Sequence, residues 1–353
     1  MNTTVEVLGF AREPGWLPWA VQYFFLIGIS TAAFFLSLPG LVWRRHEWRG
    51  ASRRALLAAL VCGLTAPVAL LADLHQPGRF LNFYLHPNLG SWMAWGAFFI
   101  PIYLTGLLLY AWLNLRPALS VMAGRGGRFA GLYRTLAYGG HDNAGAIAAA
   151  AVVAAFGAVL VLTYTGMEVM VVSARPLWHS PVLPLLFAVT ALAGGLGLTG
   201  LLEAASGKAA SAPLLNRWLE FSQWASLLLL AAWLLLAATG TSSAAAQALA
   251  GMDRGWLPAF AWLVASIALT LWLARGRRSL VLPALLALHG AWLVRWLVFM
   301  GGQELPKMGA TAHAYVLHLT PDSLLGIIGT AGLCLALYIA LTSFIPWDES
   351  AEA

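Results

Sequence analysis

Nine apolar runs dominate this sequence, and each is long enough to cross the ~30 Å hydrocarbon core of a bilayer as a helix. They cover residues 17–43, 54–74, 90–115, 143–173, 182–204, 217–239, 256–274, 279–300 and 322–344. The runs far exceed the length of a strand and show no alternation of period two, which favours helices. Charged residues make up only 10% of the chain, against about 25% in soluble domains. The sequence therefore predicts an all-α integral membrane protein with about nine transmembrane helices.

Lysine and arginine residues are distributed unequally between the two sets of loops. One side carries Arg44, Arg45, Arg49, Arg53, Arg54, Arg116, Arg125, Arg128, Arg134, Lys208, Arg217, Arg275, Arg277 and Arg278, and the other carries Arg12, Arg79, Arg175, Arg254 and Lys307. The side with fourteen basic residues is expected to be cytoplasmic. This places the N-terminus in the periplasm and the C-terminus in the cytoplasm of a bacterial inner membrane. The net charge of +6 lies mostly in these loops, so it does not indicate a nucleic-acid partner.

A stretch at residues 73–95, on the side with few basic residues, mixes ionisable and aromatic side chains between two apolar runs. Its polar members are Asp73, His75, Arg79, Asn82, His86 and Asn88, and its aromatic members are Phe80, Phe83, Tyr84, Trp92 and Trp95. Aromatic residues collect at membrane interfaces in any case, so simple anchoring is one interpretation. The other is the mouth of a site for an amphipathic ligand with a polar head.

Four polar side chains lie inside apolar runs near the same outer side: Gln22, Tyr23, Glu168 and Arg295. Polar groups in hydrocarbon need partners, and intramembrane charges often face a cavity or a water-filled path. The alternatives are a belt tyrosine, a solvated interfacial glutamate and an arginine that extends towards the headgroups. These residues alone do not decide between a functional cavity or path and ordinary anchoring at the interface.

The sequence offers no ligand set for a redox metal. Cys62 and Cys334 each lie alone in an apolar run, and His289 is the single histidine well inside a span. A bis-histidine haem needs two facing imidazoles, and iron–sulfur clusters need several cysteines. The chain is therefore expected to bind no haem, no iron–sulfur cluster and no other metal, so any redox role requires another subunit.

Five motifs, in this order, resemble the NrfD/polysulfide-reductase family of quinone-interacting membrane subunits over nearly the whole chain. They are Gln22-Tyr-Phe-Phe-Leu-Ile-Gly28, the segment 73–80, Ser91-Trp-Met-Ala-Trp-Gly96, Tyr164-Thr-Gly166 with Arg175-Pro-Leu-Trp178, and Arg295 followed by Gly301-Gly-Gln303. The resemblance implies two four-helix bundles, at residues 1–178 and 179–304. With its ninth helix, within residues 305–353, the chain departs from the shortest members of the family and looks like the longer, tetrathionate-reductase-type branch.

The resemblance also implies a site for menaquinone or ubiquinone at the outer end of the first bundle. The headgroup is expected near Gln22 or Tyr23 and Tyr164, with Asp73 and His75 closing the site. The remaining implied residues are Arg79 and Trp92 at the quinone, and Glu168, Arg295 and Gln303 on a proton path. Quinone chemistry moves two protons with two electrons, so hydrogen-bonding and titratable groups must lie within reach of the headgroup. The long tail needs an apolar slot between helices.

The implied partners are a ferredoxin-like subunit with [4Fe–4S] clusters and a molybdopterin catalytic subunit. Both are expected on the outer face, over the loops at 75–90, 175–181 and 301–321. The chain is thus predicted to be the quinone-interacting membrane anchor of a respiratory oxidoreductase, with the substrate chemistry on its partner. An alternative is the quinol-oxidising subunit of an alternative complex III-like assembly.

Two further alternatives are a transporter and a structural anchor without quinone chemistry. A transporter predicts polar groups and broken helices near the midplane, whereas the polar groups here cluster towards one face. A structural anchor leaves the polar groups within the first, fourth and eighth helices unexplained.

Overall fold

The computed structural model describes residues 15–207, 210–252, 256–276, 279–305, 315–345 and 347. Within these ranges nine helices are long and apolar enough to cross a membrane, which confirms the predicted all-α integral membrane protein. We number these membrane helices α1 (Pro18–Leu41), α2 (Arg49–Asp73), α3 (Trp92–Gly124), α4 (Ala144–Met170), α5 (Val182–Ala205), α6 (Ala212–Ala238), α7 (Trp256–Gly276), α8 (Val281–Glu304) and α9 (Leu324–Phe344).

The bounds agree with the predicted runs within about five residues except at α3, which continues past its predicted end at residue 115 to Gly124. There the buried Arg116 guanidinium donates to the carbonyls of Tyr138 and His141 in the following loop. Several residues used in the sequence analysis lie outside the described ranges. They are Arg12, Lys208, Arg254, Arg277, Arg278, Lys307 and the segments 306–314 and 348–353.

The membrane helices pack as two rings of four. In the first ring α1 packs against α2, α2 against α3, α3 against α4, and α4 returns to α1. Helices α5 to α8 repeat this pattern, and α1 and α2 join the rings by packing against α5. Helix α9 lies against α1 and α2. We call the end of the first ring that carries residues 73–95 the outer end, and the opposite end the inner end.

Small residues let these helices approach closely. A methyl group at Gly157 of α4 would lie 2.5 Å from Cα of Tyr103 in α3, and one at Gly197 of α5 would lie 2.6 Å from the carbonyl oxygen of Ala284 in α8. Close backbone contact of this kind is the usual basis of helix association in lipid, where hydrophobic burial contributes little.

Buried hydroxyl pairs also connect α1 to α3. Ser30 bonds to the hydroxyl of Tyr103 at 2.7 Å, and Ser37 bonds to that of Tyr110 at 3.1 Å. The two pairs are seven residues apart on both helices, which is about 10 Å along a helix axis. They therefore act as separate interhelical bonds that fix α1 and α3 in register.

Helix α8 contains a π-helical turn at Leu297–Gly301 near its outer end. The indole N–H of Trp178 donates to the carbonyl of Val298 within this turn at 2.6 Å. A methyl group at Gly302 would lie 2.2 Å from the Trp178 indole nitrogen, so a glycine is needed beside this ring. Single π-turns of this kind occur often at functional sites. Here the turn leads directly into Gln303, which reaches the beginning of α1.

Candidate functional site

A cavity of about 420 Å³ lies at the outer end of the first ring, between α1, α2, α3 and α4. Its walls are mainly apolar, and Phe80, Phe83 and Tyr84 from the loop after α2 cover it. The polar side chains that line it are Tyr23, Asp73, His75, Tyr84, Tyr164 and Glu168. An enclosed apolar volume with a few convergent polar groups is the usual form of a small-molecule site. Part of the stretch at residues 73–95 therefore forms the mouth of a cavity.

Three buried polar side chains meet on one wall of this cavity. Tyr23 is 0% exposed, Tyr164 2% and Glu168 7%. Tyr164 interacts electrostatically with both of the others. The hydroxyl of Tyr23 and Oε2 of Glu168 form no hydrogen bond with any residue that the structure describes. Tyr164 is the polar neighbour of both groups, and together the three side chains offer hydrogen-bond donors and acceptors to a ligand in the cavity.

Gly96 makes room for Tyr164. A methyl group at this position of α3 would lie 2.4 Å from Cζ of Tyr164 and 2.7 Å from its hydroxyl oxygen. Gly96 also lines the cavity. The glycine that ends the motif Ser91-Trp-Met-Ala-Trp-Gly96 thus leaves space for the phenol of Tyr164, a reason that the sequence alone does not reveal.

Asp73 both lines the cavity and fixes the beginning of α1. Its Oδ1 accepts a hydrogen bond from the backbone N–H of Leu17 at 2.9 Å. A carboxylate at a helix N-terminus is favourable because the free N–H groups and the helix dipole attract it. Asp73 also interacts electrostatically with His75 and Glu168. Along this lining, Glu168 is buried, Asp73 is partly buried and His75 is exposed.

Gln22 does not line this cavity, although it is the neighbour of Tyr23. Its Oε1 accepts from the indole N–H of Trp292 in α8 at 2.6 Å, and its Nε2 donates to Thr330 in α9 at 2.6 Å. Successive residues of a helix point about 100° apart, so the two side chains occupy different faces of α1. Of the two candidates on helix one, the structure brings Tyr23 to Tyr164 and uses Gln22 to tie α1 to α8 and α9.

Arg79 and Trp92 are not among the residues that line the cavity. Arg79 lies in an exposed 3₁₀ turn, Pro77–Arg79, and Trp92 is the first residue of α3. Their neighbours Phe80 and Met93 line the cavity instead. These two predicted quinone contacts therefore lie beside residues that line the cavity and do not line it themselves.

Arg295 is buried between α5 and α8, and it does not extend to the membrane surface. It is 1% exposed and donates to the carbonyls of Phe187 and Ala291 and to the hydroxyl of Thr190. Its guanidinium also lies 5.0 Å from the centre of the Phe187 ring. Among the described residues no carboxylate pairs with it. These contacts hold α5 to α8 and do not place Arg295 on the cavity.

Gln303 holds Trp16, which forms part of the cavity wall. Its Nε2 donates to the carbonyl of Trp16 at 2.8 Å, and its Oε1 accepts from the N–H of the same residue at 3.0 Å. Arg175, in the loop after α4, donates to the carbonyls of Gln303 and Leu305 at 2.9 and 3.2 Å. Partial burial lowers the pKa of this guanidinium below its usual value. Gln303 thus acts on the site by positioning the segment before α1.

No group of three or more potential metal ligands occurs among the residues that the structure describes. The polar set at the cavity consists of phenols, carboxylates and one imidazole, which suits hydrogen bonding and proton transfer. The helices and this cavity define an all-α, multi-pass integral membrane protein with a partly polar cavity at one membrane end.

The family follows from comparison with known proteins. The family model described as "Polysulphide reductase, NrfD" matches residues 9–307. The chain belongs to this family, which confirms the resemblance that the five motifs indicated.

Three curated relatives, each named as a subunit of a reductase, extend the comparison. The chain is 36% identical over 344 residues to a tetrathionate reductase subunit of Salmonella typhimurium, covering 95% of this chain and 94% of that one. It is 27% identical over 190 residues to a putative dimethyl sulfoxide reductase membrane subunit of Halobacterium salinarum, covering 54% and 43%. It is 24% identical over 215 residues to a selenate reductase subunit of Mesobacillus selenatarsenatis, covering 56% and 50%.

Proposed function

We propose that this protein is the membrane subunit of a reductase complex and that it binds a membrane quinone, menaquinone or ubiquinone, in the outer cavity. The similarity to subunits of three reductases supports the role as a membrane anchor. The observation that carries the quinone assignment is the meeting of Tyr23, Tyr164 and Glu168 on one wall of an otherwise apolar cavity.

The residues present fit a quinone headgroup. Tyr23 and Tyr164 offer hydroxyl donors, and Phe80, Phe83 and Tyr84 offer an aromatic cover. Apolar side chains of α2 and α3 extend the cavity towards the level of the hydrocarbon, where an isoprenoid tail is soluble. When bound, a quinone supplies a redox couple of two electrons and two protons.

Proton exchange falls to the carboxylates of the site. Glu168 is the buried member, and its Oε2 is available to accept or release a proton at the headgroup. Asp73 and the exposed His75 connect this position with the outer surface. All three side chains line the same cavity, and general acid–base exchange requires such groups within reach of the reacting atoms. On this geometry the proton path uses Glu168, Asp73 and His75, while Arg295 and Gln303 position helices.

The proposed partners, a ferredoxin-like [4Fe–4S] subunit and a molybdopterin catalytic subunit, dock over the loop that covers the cavity. Leu81, Leu85 and Leu89 in this loop are exposed. Contiguous exposed apolar side chains often mark interaction sites. By the distribution of basic residues, this face is periplasmic and the membrane is the bacterial inner membrane. Substrate chemistry then resides on the partner, and this protein exchanges electrons with the quinone pool.

The test compares two buried glutamates in the purified complex. Glu168→Gln keeps the shape of the side chain but removes the titratable group, so quinol-linked turnover should fall about tenfold or more, which corresponds to ~1.4 kcal/mol. The matched control is Glu203→Gln, because Glu203 is buried at the inner end of α5 and accepts from the N–H of Ser211. The dye-linked activity of the catalytic subunit should persist in both variants. Normal quinol turnover by Glu168→Gln would favour a purely structural anchor.

A further inference from the structure

A second cavity, of about 340 Å³, lies at the inner end of the first ring, opposite the outer cavity. Its residues come from the end of α1, the beginning of α2, α3, the beginning of α4 and the segment after α9. We propose that this inner cavity binds the phosphate headgroup of an anionic phospholipid, with an acyl chain against its apolar wall. The proposal concerns a different site from the quinone cavity and does not depend on it.

The rim of the inner cavity is basic. Arg44, Arg49 and Arg53 line it together with His46, and arginine remains charged at any physiological pH. The single carboxylate among the lining residues, Asp142, accepts from Arg44 at 2.5 Å. The side chains that line the cavity therefore carry more positive than negative charge. Basic pockets between helices at a membrane end are the usual setting for anionic lipid headgroups.

Arg44 occupies a position where glycine is expected. It follows the end of α1 with a φ of 54°, in the left-handed region. Helices commonly end with a glycine in this conformation, because other residues pay about 1–2 kcal/mol there. Strain of this kind is retained where the side chain has a use. At Arg44 the side chain contributes a cation to the rim.

The deeper wall of the cavity is apolar, and this distinguishes a lipid from a soluble anion. Leu56, Leu113, Leu115 and Ile147 line it, and the buried Trp347 closes one side. Tryptophan is typical of the interface between headgroups and acyl chains. A cavity with a cationic rim and an apolar wall matches both halves of an anionic phospholipid, whereas free phosphate would use the rim alone.

The main alternative occupant of the inner cavity is the acidic C-terminal segment of the chain itself. The sequence beyond Trp347 contains Asp348, Glu349 and Glu352, outside the described residues. These carboxylates are another source of negative charge close in sequence to the cavity. The experiment must therefore separate a lipid, free phosphate and the acidic C-terminal residues.

The test uses the purified, delipidated complex in mixed micelles that contain phosphatidylglycerol or phosphatidylcholine, with bound lipid counted by native mass spectrometry. The wild type should retain phosphatidylglycerol in preference to phosphatidylcholine and show a higher Tm with it. The double substitution Arg44→Gly and Arg49→Gln should lower this retention at least fivefold, and the glycine relieves the backbone strain at the same time. The control is Arg217→Gln, an exposed arginine at the inner end of α6.

Three results would overturn the proposal. One is equal loss of phosphatidylglycerol in the Arg217→Gln control, which would indicate a general surface effect. Another is displacement of the lipid by millimolar inorganic phosphate, which would indicate a plain phosphate site. The third is a complex that binds phosphatidylglycerol only after deletion of residues 348–353, because the acidic residues would then be the natural occupant. Equal binding with and without these residues supports the lipid.

Discussion

Gly96 of α3 faces the phenol of Tyr164 in α4 so closely that a methyl group on the glycine would lie 2.4 Å from Cζ of the ring. The contact sets the position of the Tyr164 hydroxyl in the outer cavity. Because α3 and α4 also contact each other closely at Gly157, moving them apart to accommodate a larger residue at position 96 would break that packing. The geometry of the proposed quinone site therefore depends on the absence of a side chain at residue 96.

The first prediction follows from this contact. Gly96→Ala should lower quinol-linked turnover of the complex about tenfold, because the phenol of Tyr164 must leave its position. Alanine is the better helix former by about 1 kcal/mol, so lower helix propensity cannot explain a loss. Gly124→Ala at the end of the same helix is the control, since nothing lies within 4 Å of a methyl group there. If the Gly96→Ala complex assembles normally and its quinol kinetics are unchanged, the position of Tyr164 does not matter for the reaction.

Tyr164 itself is expected to act through its hydroxyl. Tyr164→Phe removes a buried hydrogen-bond donor and leaves the packing of the ring, which costs about 1 kcal/mol, more where charge develops. Quinol-linked turnover should therefore fall roughly fivefold or more, while dye-linked activity persists. Tyr133→Phe, at a buried tyrosine of the inner loop, is the matched control. If both phenylalanine variants turn over quinol at the wild-type rate, the hydroxyl of Tyr164 has no role.

Gln22 should affect stability and leave quinol binding unchanged. Gln22→Leu removes the partners of the Trp292 indole and the Thr330 hydroxyl, which tie α1 to α8 and α9. The Trp292 N–H would lose its acceptor and the Thr330 hydroxyl would lose a donor, and a buried polar group left without its partner costs about 1–3 kcal/mol. We expect a lower Tm of the detergent-solubilised complex and an unchanged KM for quinol. A raised KM at unchanged Tm would instead place Gln22 at the headgroup.

The sequence predicted the helices better than the choice between neighbouring side chains. Span length follows directly from membrane thickness, so run length alone located the membrane helices among the described residues. The choice between Gln22 and Tyr23 needed the structure, because α1 is buried on nearly all its faces. A helix that is apolar all round carries no periodic signal that distinguishes one face from another.

Other features of the site depend on contacts between distant parts of the chain. Gln303 and Trp16 are 287 residues apart in sequence, and no local pattern pairs them. The π-turn at Leu297–Gly301 likewise depends on Trp178 from another loop. By contrast, Gly96 belongs to a motif that the sequence shows, although the sequence does not show that this glycine makes room for Tyr164. Local motifs thus indicated the region of the candidate site, while its internal geometry depends on packing between distant segments.

The last prediction concerns the face on which the soluble partner docks. A photo-crosslinking residue placed at Leu85, which is 67% exposed in the loop covering the outer cavity, should capture the iron–sulfur subunit. The same residue placed at Leu132, which is 54% exposed in the inner loop helix Ala130–Leu136, should not. The physical reason is distance, because the proposed quinone site is at the outer end and electron tunnelling would require a nearby cluster. Mass spectrometry of the crosslinked products identifies the partner. Capture of the iron–sulfur subunit from Leu132 but not from Leu85 would invert the proposed assembly and place the partner beside the arginine-rich loops.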